Sequence, residues 1–444
     1  MKKYCIVGTG NRGIGMYGLA LVEKYREVAE ITGLCDNNSG RLNYARKKLG
    51  ESIPVFTDFD EMLEKVECDT VIVCSKDCTH HEYIVKALRG GKDVITEKPM
   101  TVDDVKCREI LEAERETGRK VQVTFNYRFV PYVVRIKELL DSGMIGKIQS
   151  VDFHWYLDTV HGADYYRRWH RRKENSGGLQ IHKSTHHFDI VNWWVGQDPQ
   201  QVFAYGSRNF YGDKGAIRGE RCLTCRNSSA CPFYMDISKS VGLKELYLDN
   251  EKFDGYFRDR CVFDPEINIE DTMSVLVKYT GGAQLTYSLV SYAPVEGWQL
   301  TVSGSKGRLE AFHGDAFVPT ETPNYAQRET NEYRKSIDWR FAQGDGADEA
   351  LTKEMIKVFP LFGGVQTFTV DKSAGEHGGG DDRLRDMLFL PGQTDDMGIM
   401  AGTHAGAMSI LIGTAANYSM TNNCPIAIKD LMEGTLPRDI KLSK

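Results

Sequence analysis

The chain has 444 residues, 41% hydrophobic and 27% charged, the balance of a globular protein with room for two domains. A formal net charge of −6 argues against a general nucleic-acid binder. No apolar run is long enough to cross a bilayer, so no membrane role is expected.

The N-terminus, MKKYCIVGTG, is too briefly apolar for a signal peptide and is broken by Gly8 and Gly10. It reads as the first strand, Tyr4–Val7, of a cytoplasmic protein. That strand runs into Gly8-Thr9-Gly10-Asn11-Arg12-Gly13 and then an amphipathic helix. In strand–turn–helix context this G-x-G-x-x-G suits a pyrophosphate, because glycines let backbone N–H groups approach it at a helix N-terminus. The next apolar strand, Ile31–Cys35, ends at Asp36. An acid there binds ribose hydroxyls and repels a 2′-phosphate, which favours NAD over NADP, with Arg41 as the nearby counter-signal.

Thr70–Cys74 reads as a strand covered on both faces. A helix over Thr79–Arg89 follows, then a strand over Asp93–Thr96 that delivers Glu97-Lys98-Pro99. Thr101 looks like the cap of a helix running to about Thr117, and Lys120–Thr124 is another strand. Repeated β-α units predict an α/β sheet with ligands beyond the strand carboxyl ends. Asp36, Ser75, Lys76, Glu97 and Asn126 fall at such ends. Residues 1–125 are therefore assigned to a Rossmann dinucleotide domain. Residues 126–444 are assigned to an α+β domain for substrate binding and oligomerisation.

In that second part, strand-like runs at Ile148–Trp155, Met273–Tyr279, Gln284–Val290 and Gln299–Ser303 predict a largely antiparallel sheet. His161–Arg172 reads as a loop dense in aromatics and cations, either a basic surface loop or a wall for a polar ring. Ser176–Asp189, SGGLQIHKSTHHFD, reads as two glycines leading into a helix. Ile181, Phe188, Val191 and Trp194 recur at helical spacing as a buried face. His182, His186 and Asp189 form a polar stripe beside it, with Lys183 three residues before His186. A solvated helix face is the plain alternative; packed against apolar residues, these groups need partners or work to do.

Eleven cysteines are spread along the chain. Cys5, Cys35, Cys68 and Cys74 lie in or beside apolar runs, a usage that suits a reducing compartment. Cys222, Cys225 and Cys231 follow C-x2-C-x5-C, with Cys261 further on, inside an insertion at about 215–265. Four thiolates would satisfy a structural Zn²⁺. An Fe–S cluster, free thiols and a disulfide remain open beside it. Pro319–Asp348 is expected to be a surface excursion. Lys372–Asp382 reads as a linker, or as a loop that closes on a ligand through His377 and Asp381. A helix of small and apolar residues is predicted at about Gly402–Asn417, packing on the first domain, with a short strand near Cys424–Ile428.

The dinucleotide fold, the Glu97-Lys98-Pro99 motif with His80 and Gly91-Lys92 ahead of it, Asn126-Tyr127-Arg128-Phe129 before Pro131, and the later Gly-Gly…His helix together resemble the Gfo/Idh/MocA oxidoreductases. The resemblance is strong over the first 200 residues or so and looser beyond. It implies binding of NAD or NADP and hydride transfer at one hydroxyl carbon of a sugar, cyclitol or glycoside, in a homo-oligomer. It places Gly8, Gly10, Asn11, Arg12, Gly13, Asp36, Ser75, Lys76, His80, Glu97, Lys98 and Asn126 at the cofactor. Lys98 would sit between nicotinamide and substrate, and His186 would be the acid/base. The family's Asp-x-x-x-His is departed from here, because His182 occupies the Asp position beside Lys183. Tyr127, Arg128, Tyr165, Arg168, His170, His182 and His377 are the substrate candidates.

Oxidising a secondary alcohol requires loss of an O–H proton as hydride leaves. An imidazole suits that step, and a nearby ammonium can stabilise the alkoxide. His186 as acid/base with Lys98 and Lys183 as charge stabilisers is one assignment; Lys98 as base with His186 orienting is the reverse. Three functions fit the pattern. One is an NAD-dependent dehydrogenase. The second is an enzyme that cleaves glycosides by transient oxidation and elimination. The third is a nucleotide or sugar sensor without turnover.

Overall fold

The computed structural model describes residues 1–317, 334–335, 352–373 and 376–442. The first sheet has six strands: β1 Lys2–Val7, β2 Ala29–Cys35, β3 Val55–Phe56, β4 Thr70–Val73, β5 Asp93–Thr96 and β6 Val121–Val123. Their order is β3-β2-β1-β4-β5-β6 and every pairing is parallel. This is the Rossmann arrangement predicted. Strand β4 is buried at every residue, as its unbroken apolar run requires when both faces are covered. The order reverses between β1 and β4, which opens a crevice at their carboxyl ends.

The second sheet takes β7 Ile148–Asp158, β8 Pro199–Ser207, β9 Thr272–Tyr279, β10 Gln284–Ala293, β11 Val295–Gly304, β12 Gly307–Phe317, β13 Arg334–Lys335, β14 Lys353–Pro360, β15 Gln366–Asp371 and β16 Ile426–Ala427. The main path runs β15-β14-β12-β11-β7-β10-β9-β8-β16, with β13 on β12. Among the described strands of this sheet only β7 and β10 pair in parallel. Along β9, Met273, Val275, Val277 and Tyr279 are buried and their neighbours exposed. The sheet is therefore covered on one face and open on the other. The strands β8, β12, β13, β14 and β15 were not among those predicted. In β15 no residue is fully buried, so it carries little hydrophobic alternation to read.

The helix Thr403–Asn422 is longer than predicted and packs where expected. A Cβ on Gly406 would lie 2.9 Å from Met100 Sδ and 3.0 Å from Val123, so the small residue sets its approach to the first sheet. The helix Asp104–Thr117 is capped by Asp103, whose carboxylate accepts from Lys106 N at 2.8 Å, rather than by Thr101. Among the described residues no helix is long and apolar enough to cross a membrane. The expected excursion over Pro319–Asp348 falls almost wholly outside the described residues.

Candidate active site

Gly8 adopts φ +93°, and a Cβ there would sit 2.5 Å from the Cys74 backbone. Only glycine lets the loop pass this close to β4. The loop enters a π-helical turn, Arg12–Gly18, continued by the α-helix Leu19–Glu23. Asp36, at the end of β2, accepts from Thr9 N at 2.8 Å, Asn38 N at 2.9 Å and Arg41 Nη2 at 3.0 Å. Gly8, Gly10, Asn11, Arg12 and Asp36 line one end of a cavity of about 440 Å³. Gly13 does not line it, being packed beneath Gly8.

Further along, the cavity meets the ends of β4 and β5, where Ser75, Lys76, Asp77, His80, Glu97 and Lys98 line it with Asn126. His80 lies between two carbonyl oxygens, Pro99 O at 2.8 Å and Ser75 O at 3.1 Å, and ties the two strand ends together. Glu97 faces the loop: it accepts from Arg12 Nη2 at 2.9 Å and Tyr17 Oη at 2.7 Å. Asp381, also buried, completes this cluster by taking Arg12 Nη1 at 3.3 Å and the Asn126 amide. Glu97 and Asp381 thus position Arg12. The side chain of His377 lies outside the described residues.

The segment Ser176–Asp189 departs from the predicted single helix. Leu179–His182 and Ser184–Val195 are separate helices that break at Lys183. The polar groups are all buried, with His182, Lys183, His186 and Asp189 at most 8% exposed, so the solvated-face reading is excluded. His182, Lys183 and His186 face the cavity. Asp189 turns elsewhere: its carboxylate takes Arg128 Nε at 2.6 Å and Nη2 at 2.7 Å in a bidentate pair. His182 Nδ1 lies 2.5 Å from Asp77 Oδ2, and its carbonyl accepts from Lys98 Nζ at 3.1 Å.

This cluster is electrostatically tense. Burial, aided by the charge of Lys183, pulls Lys98 down to about 8. Burial pushes Asp77 up and His182 well down, the latter helped by Lys98. Burial also lowers Lys183, whose Nζ lies 5.1 Å from the Trp155 ring centroid.

The expected loop His161–Arg172 is largely structured, as the helix His161–Arg167 and a turn at Trp169–Arg171. Tyr165, Arg168 and His170 line the cavity. Tyr127 and Arg128 do not: Tyr127 Oη accepts from Trp298 Nε1 at 2.6 Å, and Arg128 is committed to Asp189. Lining residues the sequence did not single out include Asp77, His161 and Trp169, and Tyr247, Asp254 and Tyr256 from the insertion. Asp77 lies four residues past the end of β4, close enough to the strand end to be a usable signal; the insertion residues carry none.

Cys222, Cys225, Cys231 and Cys261 line a separate cavity of about 20 Å³, and none is in a disulfide. Among the described residues no group of three or more His, Cys, Asp or Glu is placed to hold an ion, so the expected metal gains no support from the side-chain positions. Instead the buried guanidinium of Arg167 donates to Cys222 Sγ at 3.1 Å, bringing positive charge to the sulfur.

The model of an oxidoreductase family, NAD-binding Rossmann fold, matches residues 2–125; that family's C-terminal alpha/beta domain matches residues 137–428. A Bacillus subtilis protein named as an oxidoreductase, YteT, is 40% identical over 98% of this chain and 99% of its own length. An inositol 2-dehydrogenase/D-chiro-inositol 3-dehydrogenase of Lactiplantibacillus plantarum is 26% identical over 47% of this chain and 58% of its own. The structure of the WlbA dehydrogenase from Bordetella pertussis, complexed with NADH and UDP-GlcNAcA, superposes with a TM-score of 0.61 at 16% identity, over 99% of both chains. That of an aldose-aldose oxidoreductase from Caulobacter crescentus gives 0.59 at 15%, over 96% of this chain and 99% of the other. At such identities the structural likeness is one of fold.

Proposed function

From the premise that this chain belongs to the Gfo/Idh/MocA oxidoreductase family and is an NAD(P)-dependent dehydrogenase, we propose that it uses NAD to oxidise or form a carbohydrate-like secondary alcohol. The observation that carries this reading is one cavity joining Gly8, Gly10 and Asp36 to Lys98, His182, Lys183 and His186. The residues fit a dinucleotide: glycine backbone approaches where a pyrophosphate would lie, and Asp36 stands where ribose hydroxyls would. NAD, when bound there, supplies the acceptor for hydride.

In this reading the chain's own groups manage the proton and the charge. His186 accepts the hydroxyl proton, while Lys98 and Lys183 donate to the developing alkoxide. The lowered pKa of Lys98 supports the reverse assignment as well, because a lysine near 8 is partly neutral at physiological pH. Tyr165, Arg168, His170 and His182 would hold the rest of the substrate through ring faces and N–H donors. A relative named as an inositol dehydrogenase supports a cyclitol or sugar as the substrate class.

Purified protein supplied with NAD and a panel of sugars, inositols and glycosides should accumulate NADH. Aglycone release without net NADH would replace this reading with redox-neutral glycoside cleavage. Nucleotide binding with no turnover on any class would leave a sensor. The reading extends to a homo-oligomer formed through the open sheet face, where Tyr205 and Leu276 are 63% and 52% exposed; light scattering at the mass of one chain would reject that. It also extends to the cytoplasm, where the described cysteines, none in a disulfide, would stay reduced.

A further inference from the structure

The insertion between β8 and β9 does more than decorate the second sheet. Its Met235, Ile237, Leu246 and Tyr247 are buried in the same apolar cluster as Tyr4, Ile6 and Leu34 of the dinucleotide sheet. It thereby gains from the first sheet the core that its own length cannot supply. Three contacts then set it over the nucleotide end of the cavity. Tyr247 Oη accepts from Asn11 N, an amide of the glycine loop, at 3.0 Å. Asn38 Nδ2 donates to Asn250 O at 3.0 Å. Arg41 Nη2 meets Asp254 at 2.7 Å while it meets Asp36 at 3.0 Å.

We propose that this insertion is the second wall of the dinucleotide site and selects the cofactor, with Asp254 excluding a 2′-phosphate and Tyr247 holding the pyrophosphate. The proposal rests on the dinucleotide site of the reading above. Arg41 stands beside the ribose-binding Asp36, where a guanidinium would welcome a 2′-phosphate. Two carboxylates hold it instead, one reaching in from a segment more than two hundred residues away in the chain. Arg41, Asp36 and Asp254 together leave a net negative charge at that end, which opposes a phosphate and tolerates a free hydroxyl. Tyr247 accepts from the loop amide and so keeps its own O–H for a phosphate oxygen.

The test is binding, read by calorimetry without any alcohol substrate. Wild-type protein should bind NAD and bind NADP far more weakly. Asp254→Asn should strengthen NADP binding about tenfold, the scale of one freed charge-assisted hydrogen bond, with NAD changed little. Adding Arg41→Ala to it should abolish that gain. Tyr247→Phe should weaken ADP-ribose about fivefold, in line with one lost hydrogen bond, and leave adenosine unchanged. In the unmodified protein, ADP-ribose should slow amide exchange across residues 241–256, a readout that needs no variant to fold. An unchanged NADP-to-NAD ratio in Asp254→Asn, or no protection of 241–256, overturns the proposal. Because wild-type NAD binding is measured alongside, either failure is distinct from failure of the dehydrogenase reading, which turns on alcohol oxidation.

Discussion

Asp77 Oδ2 lies 2.5 Å from Nδ1 of His182, although the two residues are 105 positions apart. His182 stands where the family resemblance implies an acid, and a carboxylate is supplied instead by Asp77, in the turn that follows β4. Both groups are buried, and burial drives the acid up and the imidazole down. The favoured state is a neutral pair, with one proton between them, that fixes the His182 ring against the cavity. Asp77→Asn should lower kcat/KM about 3–10-fold, the worth of one hydrogen bond between neutral groups. His182→Gln should do the same, and the double variant should lose little more than either alone, because the two act as one unit. Additive losses would show that the pair is not functionally coupled.

Lys98 sits near 8 because burial and Lys183 oppose its charge. Its native pKa lies below the unfolded value of 10.5, so the native state holds fewer protons between those two pH values. The destabilisation is therefore fully present below about pH 8 and is relieved as pH rises toward 10.5. Lys98→Met should raise the melting temperature at pH 7 and abolish most turnover, a stability–activity trade. If neutral Lys98 is the base, alcohol oxidation should climb with pH through about 8 and keep that limb in His186→Asn. If His186 is the base, His186→Asn should erase the limb that the wild type shows.

Much of this architecture was legible before the fold. The run Thr70–Cys74 reads as a strand covered on both faces, as β4 is, and Glu97-Lys98-Pro99 supplies two residues that line the cavity. The pairing of Asp77 with His182 was not legible, because sequence spacing sees neighbours within a helix and not across two units. The same blindness hid the break at Lys183: i, i+4, i+7 assumes one continuous helix, whereas Leu179–His182 and Ser184–Val195 are two. Tyr247 and Asp254 line the cavity from a segment that carries no motif or hydrophobic period pointing there.

Arg128 illustrates a candidate moved by the structure from recognition to support. Its bidentate pair with Asp189 is nearly sealed from solvent, at 6% and 1% side-chain exposure. Arg128→Ala would strand a buried carboxylate, a loss of about 3–5 kcal/mol. The expected signature is a large fall in melting temperature, with KM of the folded enzyme little altered. A raised KM at unchanged stability would return Arg128 to the substrate site.

The four cysteines of the insertion invite a metal; we infer instead that they are free thiols ordered by Arg167. Arg167, fully buried, directs its guanidinium at Cys222 Sγ. A cation fixed on that sulfur competes electrostatically with any second cation drawn to the same thiol. A structural zinc typically contributes about 10–16 kcal/mol to a small fold, so its removal is conspicuous. A strong chelator should therefore leave the melting temperature and the NAD affinity of this protein unchanged. Freshly prepared protein should carry zinc and iron far below one per chain. Arg167→Met should instead destabilise the insertion, since the guanidinium also donates to Phe233 O, and NAD binding should weaken with it if the insertion walls the cofactor site. Stoichiometric zinc, together with unfolding on chelation, would overturn this account of the cysteines and reassign Arg167 as a neighbour of bound thiolates.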